Sequence, residues 1–145
     1  METTSLDRQP LRASLILLGV ALLYTMLLFQ ALGAQGEWRP PDFLQSWLAD
    51  AQTRFWVWDQ LTHTLCVLLL SLPFAWGLTR LYTRRLLPAA LLLVAPAVAW
   101  MVLDYFNLRD ELPDASGIVT TIYFVDTAKV AVLLPLLVLL LRRRA

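Results

Sequence analysis

From Ala13 to about Gly33 the chain carries no charged side chain. An α-helix needs about 20 such residues to cross a hydrocarbon core of roughly 30 Å. Three more apolar runs follow, at about 61–78, 86–108 and 120–141, so four spans are expected within a single domain covering residues 1–145. Between the first two runs, Pro40-Pro41 ends any continuation of the first helix. Beyond it, Phe43, Leu44, Trp47, Leu48, Ala51, Phe55 and Trp58 fall at helical spacing, with Asp42, Gln45, Asp50 and Gln52 mostly off that face. This spacing predicts an amphipathic helix over about 42–58, lying in the membrane interface as an aromatic anchor or as a lid or docking surface. The fold expected is all-α: an integral membrane antiparallel four-helix bundle with an interfacial amphipathic helix in the first outer loop.

Composition supports that class. The chain is 59% hydrophobic and 16% charged, well away from the near-half apolar and quarter charged makeup of soluble domains. The first run is longer than the roughly 7–15 apolar residues of a signal-peptide core. A retained helix is therefore expected, although Ala31-Leu32-Gly33 would suit cleavage. One cysteine, Cys66, excludes an intramolecular disulfide and a cysteine-based metal cluster, and a single histidine, His63, excludes bis-His haem within one chain. No cofactor is expected. No phosphate-binding glycine loop or nucleic-acid motif occurs, so nucleic acid is not an expected partner.

The net charge of +1 is uninformative because the charges are sorted by side. Arg8, Arg12, Arg80, Arg84, Arg85, Arg142, Arg143 and Arg144 fall on one side, and Arg39, Arg54 and Arg109 on the other. The positive-inside rule then places both termini in the cytoplasm. Glu37, Asp42, Asp50, Asp110, Glu111 and Asp114 enrich the outer loops in acid.

Against this background the polar residues inside the spans stand out. A charge at the centre of a spanning helix costs about 2.5–3.5 kcal/mol on insertion scales. Yet Asp126 and Lys129 both lie in the fourth run, three apart and so on one helix face. Counted back from Arg142, Lys129 lies about 20 Å from the inner boundary, about 10 Å below the outer one. Asp59 and His63, one turn apart, open the second run, and Asp104 and Asn107 close the third. The topology brings all six to one level, as the candidate site. Pro73, Pro96 and Pro135 each remove a helical hydrogen bond, and kinks there would splay the outer half into a shallow cavity. Asp126 and Lys129 can also be read as a structural pair that satisfies itself.

These residues resemble a known family. Asp59-Gln60-Leu61-Thr62-His63 is similar to the D-K-x-x-H signature that opens a span in VanZ-like membrane proteins. Asp104-Tyr105-Phe106-Asn107 is similar to that family's E-x-x-Q, and Asp126 to the Asp that opens its last span. Asp stands for Glu and Asn for Gln, and Lys129 follows Asp126 by three residues where the family has Asn after four. The resemblance covers about residues 55–141. It implies a bacterial cytoplasmic (inner) membrane location and an envelope role, in a family with one member linked to glycopeptide (teicoplanin) resistance, and it implies no settled reaction.

Three functions remain in contention. A binding module would use Lys129 and His63 as donors to an anionic lipid headgroup or a lipid-linked envelope precursor. A non-catalytic subunit or assembly factor would dock its apolar faces and tryptophan-rich loop on a membrane-protein partner or, as a homodimer, on itself. An enzyme would pair His63 with a carboxylate, but no nucleophile or metal set accompanies them, so this reading ranks last. Membrane lipids are partners in every case.

The topology is checked with cysteines at Gln45 and Ala115 on a Cys66-free background. Both are expected to react with an impermeant thiol reagent from outside the cell, and labelling of a cysteine at Thr83 from that side would overturn the orientation.

Overall fold

The computed structural model of the protein describes residues 10–82, 85–111 and 116–142. Outside the described residues lie Arg8, Arg84, Arg143, Arg144 and Asp114, and the labelling positions Thr83 and Ala115. The described chain is all-helical: α1 Pro10–Gln35, α2 Phe43–Trp47, α3 Ala51–Leu81, α4 Leu86–Glu111 and α5 Ser116–Arg142. All but α2 are long and apolar enough to cross a membrane. The chain is thus a multi-pass membrane protein built as a four-helix bundle.

Helices extend past the apolar runs because backbone hydrogen bonding does not stop where polarity begins. Pro10 opens α1, where its missing N–H has no helical partner to lose. The largest extension is in α3. The helix expected over 42–58 is divided: α2 takes five residues, the backbone is extended at Leu48 (φ −126°, ψ 97°), and Asp50 starts a new helix. The Asp50 carboxylate accepts from the Thr53 backbone N–H at 2.6 Å, an N-cap bond. Hydrogen bonds from the Thr53 side chain and then its backbone N–H hold the carboxyl below its ordinary pKa. From there α3 continues unbroken into the second span, so Phe55 and Trp58 belong to the span helix.

Successive spans run in opposite directions. The Tyr82 hydroxyl at the end of α3 donates to the Ala13 carbonyl near the start of α1, at 3.2 Å. Midway, the Tyr24 and Ser71 hydroxyls bond at 2.9 Å, and the far end joins Gln35 to Asp59. α4 and α5 are likewise antiparallel, with Tyr123 on Asp104 and Tyr105 on Thr120. α3 packs most extensively on α5, and α4 on α5 and α1. We call the end with the 36–50 connection the loop end, and the opposite one the terminal end.

Away from the loop end, each spanning helix carries apolar side chains on its outward as well as its inward face, as a membrane span must. In α1, Leu17, Ala21, Tyr24 and Leu28 face the core while Leu15, Leu18 and Leu22 face outward. Apolar burial drives little association inside a membrane, so close packing carries it. Ala21, Ala75, Ala90, Ala97 and Ser71 are buried at the contacts, where small side chains let helices approach. α3, α4 and α5 run through Pro73, Pro96 and Pro135. At the loop end, where a shallow cavity was expected, side-chain hydrogen bonds join α1, α3 and α5, and a cavity of about 180 Å³ lies between α4 and α5 beside Tyr105, Tyr123 and Thr127.

The buried Tyr24–Ser71 bond joins α1 to α3. In a double-mutant cycle of Tyr24→Phe and Ser71→Ala, a coupling of about 0.6 kcal/mol, and no more than about 1.7, is expected. Reversible unfolding in mild detergent measures it, and strict additivity would show the bond adds no stability.

Candidate functional site

The buried stripes of three helices end in polar residues at the loop end. On α3 the stripe runs His63, Val67, Ser71, Ala75, Leu78. On α5 it is Val130, Leu134, Val138, and one turn earlier the same face carries Asp126. On α1, Leu17, Ala21, Tyr24 and Leu28 lead to buried Gln35. The apolar core is therefore capped by Gln35, His63 and Asp126 in the positions where the next core side chains would stand.

These caps are joined by hydrogen bonds. The Gln35 Nε2 donates to Thr62 Oγ1 at 2.6 Å and to Asp59 Oδ1 at 3.1 Å. The Lys129 ammonium donates to Asp126 Oδ1 at 3.2 Å and to Gln60 Oε1 at 2.5 Å. The Gln60 amide nitrogen in turn donates to Asp126 Oδ1 at 3.3 Å. One neutral side chain thus serves both members of the ion pair, offering its carbonyl to the cation and its N–H to the anion. The side chains of Asp126 and Lys129 are 13% and 18% exposed. A pair this enclosed loses much of its hydration, and these extra bonds offset that loss.

His63 is the exception. Its side chain is 7% exposed, and Nδ1 lies 3.7 Å from Asp126 Oδ1. That is too long for a hydrogen bond, and Nδ1 is a buried polar atom with no partner. Leaving such an atom unpaired costs about 1–3 kcal/mol. The charges are also unbalanced. Two carboxylates, Asp59 and Asp126, accompany one ammonium, Lys129, in this hydrogen-bonded cluster.

The structure brings four expected residues together, Asp59, His63, Asp126 and Lys129. Asp104 and Asn107 do not join them. Both are exposed, and Asp104 accepts from the Tyr123 hydroxyl at 2.9 Å, one turn of α5 before Asp126. The reason is helix rotation. The buried face of α4, Ala90, Leu93, Ala97 and Met101, continues through half-buried Tyr105 and Leu108. Asp104 and Asn107 sit at its edge. Sequence reasoning in turn missed Gln35, Gln60 and Thr62. Gln60 lies inside the Asp59–His63 motif, and Gln35 is the last polar residue of the first span, so position alone was their signal. Among the described residues no group of His, Cys, Asp and Glu is arranged to hold a metal.

No protein-family model, curated protein or solved structure matches the chain.

Removing one member of an enclosed ion pair strands the other, at about 3–5 kcal/mol in full burial. Asp126→Asn and Lys129→Met are each expected to destabilise by less than that, since Lys129 can extend toward the surface. The double variant is expected to lie closer to wild type than either single one, as read by thermal unfolding in detergent. Additive losses would show that the two charges do not depend on each other.

Proposed function

We propose that the chain is a VanZ-like envelope protein of the bacterial inner membrane, both termini cytoplasmic. In this reading the loop-end cluster binds an anionic lipid headgroup, or the phosphate of a lipid-linked envelope precursor, from the outer leaflet. The observation that carries the reading is the unpartnered Nδ1 of His63 beside a lysine that keeps part of its surface exposed. Phosphate oxygens accept hydrogen bonds, and an imidazole N–H and an ammonium are donors that such an anion can use. The entering anion would displace Gln60 from Lys129 and accept from His63 Nδ1–H. Gln60 is well suited to be displaced, because a carboxamide is uncharged.

A second reading, a non-catalytic subunit or assembly factor, is favoured by one feature. Trp47 is 82% and Phe43 65% exposed on the short helix α2, more apolar surface than an isolated loop needs. A partner membrane protein would cover it.

Both readings are tested by purification in mild detergent followed by native mass spectrometry. The wild type is expected to retain phosphate-bearing lipid, and His63→Ala and Lys129→Met each to lose most of it. Equal retention by all three would overturn the binding module. A stoichiometric co-purifying protein, lost with Trp47→Ser, would establish the subunit instead.

A further inference from the structure

One acceptor in the loop-end cluster has more donors beside it than it can serve. Asp126 Oδ1 takes hydrogen bonds from the Lys129 ammonium at 3.2 Å and from Gln60 Nε2 at 3.3 Å. His63 Nδ1 stands 3.7 Å from the same oxygen, buried and without a partner. A carboxylate oxygen has two lone pairs, and both are already used. His63 is thus held next to an acceptor that it approaches and does not reach.

The charged groups that act on the ring are Asp126 and Lys129 of α5 and Asp59, one turn earlier on α3. α1 meets the cluster with neutral Gln35. α4 turns an apolar face inward, with Asp104 at its edge on Tyr123. Imidazole is the side chain that ordinarily changes charge between about pH 5 and 8. When the ring takes a proton here, Nδ1–H becomes a charge-assisted donor, which a carboxylate holds at about 2.7–2.9 Å. Closing that gap gives Asp126 Oδ1 a third donor, and Lys129 is the one that yields. The imidazolium repels it, Gln60 Oε1 still accepts from it, and its side chain is already part-exposed and long enough to extend to the surface.

We propose that the cluster is a proton-binding site, in which His63 takes one proton from the aqueous phase at the loop end, closes on Asp126 and releases Lys129 outward. Asp126 keeps a cationic partner in both states, Lys129 when the ring is neutral and His63 when it is charged. The exchange carries an ammonium to the surface and strands no carboxylate behind it. It concerns the cluster with no headgroup bound, so it stands whether or not an anionic headgroup is the ligand.

His63 is the sole histidine and Lys129 the sole lysine of the chain, so each gives one signal in magnetic resonance. The full chain, isotope-labelled at the histidine ring and the lysine Cε, is titrated in phosphatidylcholine nanodiscs, which present no anionic headgroup. Between about pH 8 and about pH 4 the ring is expected to pass from neutral to imidazolium in a one-proton transition. The midpoint is expected to fall by about one pH unit or more in Asp126→Asn and to rise in Lys129→Met. Lys129→Met decides alone if Asp126→Asn does not fold. A water-soluble paramagnetic agent is expected to broaden the Lys129 signal several-fold more below the midpoint than above it, and equally at both in His63→Gln. A ring neutral over the whole range, or a midpoint unmoved in Lys129→Met, would overturn the proton site. Broadening of Lys129 that ignores pH in the wild type would overturn its release.

Discussion

A charge enclosed among membrane helices has to find its partners within the protein, because the bilayer offers none. Asp126 and Lys129 meet that constraint together with Gln60, and the arrangement dictates how the helices lie. Lys129 reaches Gln60 only if α5 lies beside α3, and Gln35 reaches Thr62 only if α1 lies on the other flank. The two most polar contacts of the bundle therefore sit at one end and set the register of three helices. Toward the other end the same helices are held by shape, through alanines and a buried pair of hydroxyls. Shape tolerates sliding better than hydrogen bonds do, so a polar layer is the more specific of the two devices.

The spans were legible because length and apolarity are properties of a run, independent of which way each side chain faces. Asp126 and Lys129 were legible for the same reason, being three apart on whatever face they occupy. Facing itself was not legible. In a soluble helix the polar side betrays the rotation, but here Leu15 and Leu17 are equally apolar and only one is buried. Without the rotation, Asp104 looked as well placed as His63, and Gln35 looked like a span end. The cap at Asp50 is different. Its bond to the Thr53 amide is a local signal, and the surrounding helical spacing hid it, since Ala51, Phe55 and Trp58 continue the periodicity of Phe43 and Trp47 across the break.

The placement of α4 follows from the same division. Its core face carries no polar residue at the loop end, so it meets α5 through aromatic rings, with Tyr105 5.8 Å from Tyr123 between centroids. Tyr123 also carries the hydrogen bond to Asp104. One side chain thus packs as a ring and bonds as a hydroxyl, the usual use of tyrosine where an apolar interior meets a wetter surface.

The unbroken course of α3 has a mechanical consequence. Its 31 residues make a rod of about 46 Å, half again as long as a hydrocarbon core of roughly 30 Å. Measured back from Arg80, that thickness ends near Gln60. An upright α3 would leave the lipid at the level of Asp59, and its first two turns, with Phe55 and Trp56, would stand above as a stiff stalk. No proline or glycine interrupts Ala51 to Gln60, so there is no joint between stalk and span. Any sideways load on those tryptophan-bearing turns is delivered undamped to the residues that hold Asp126 and Lys129.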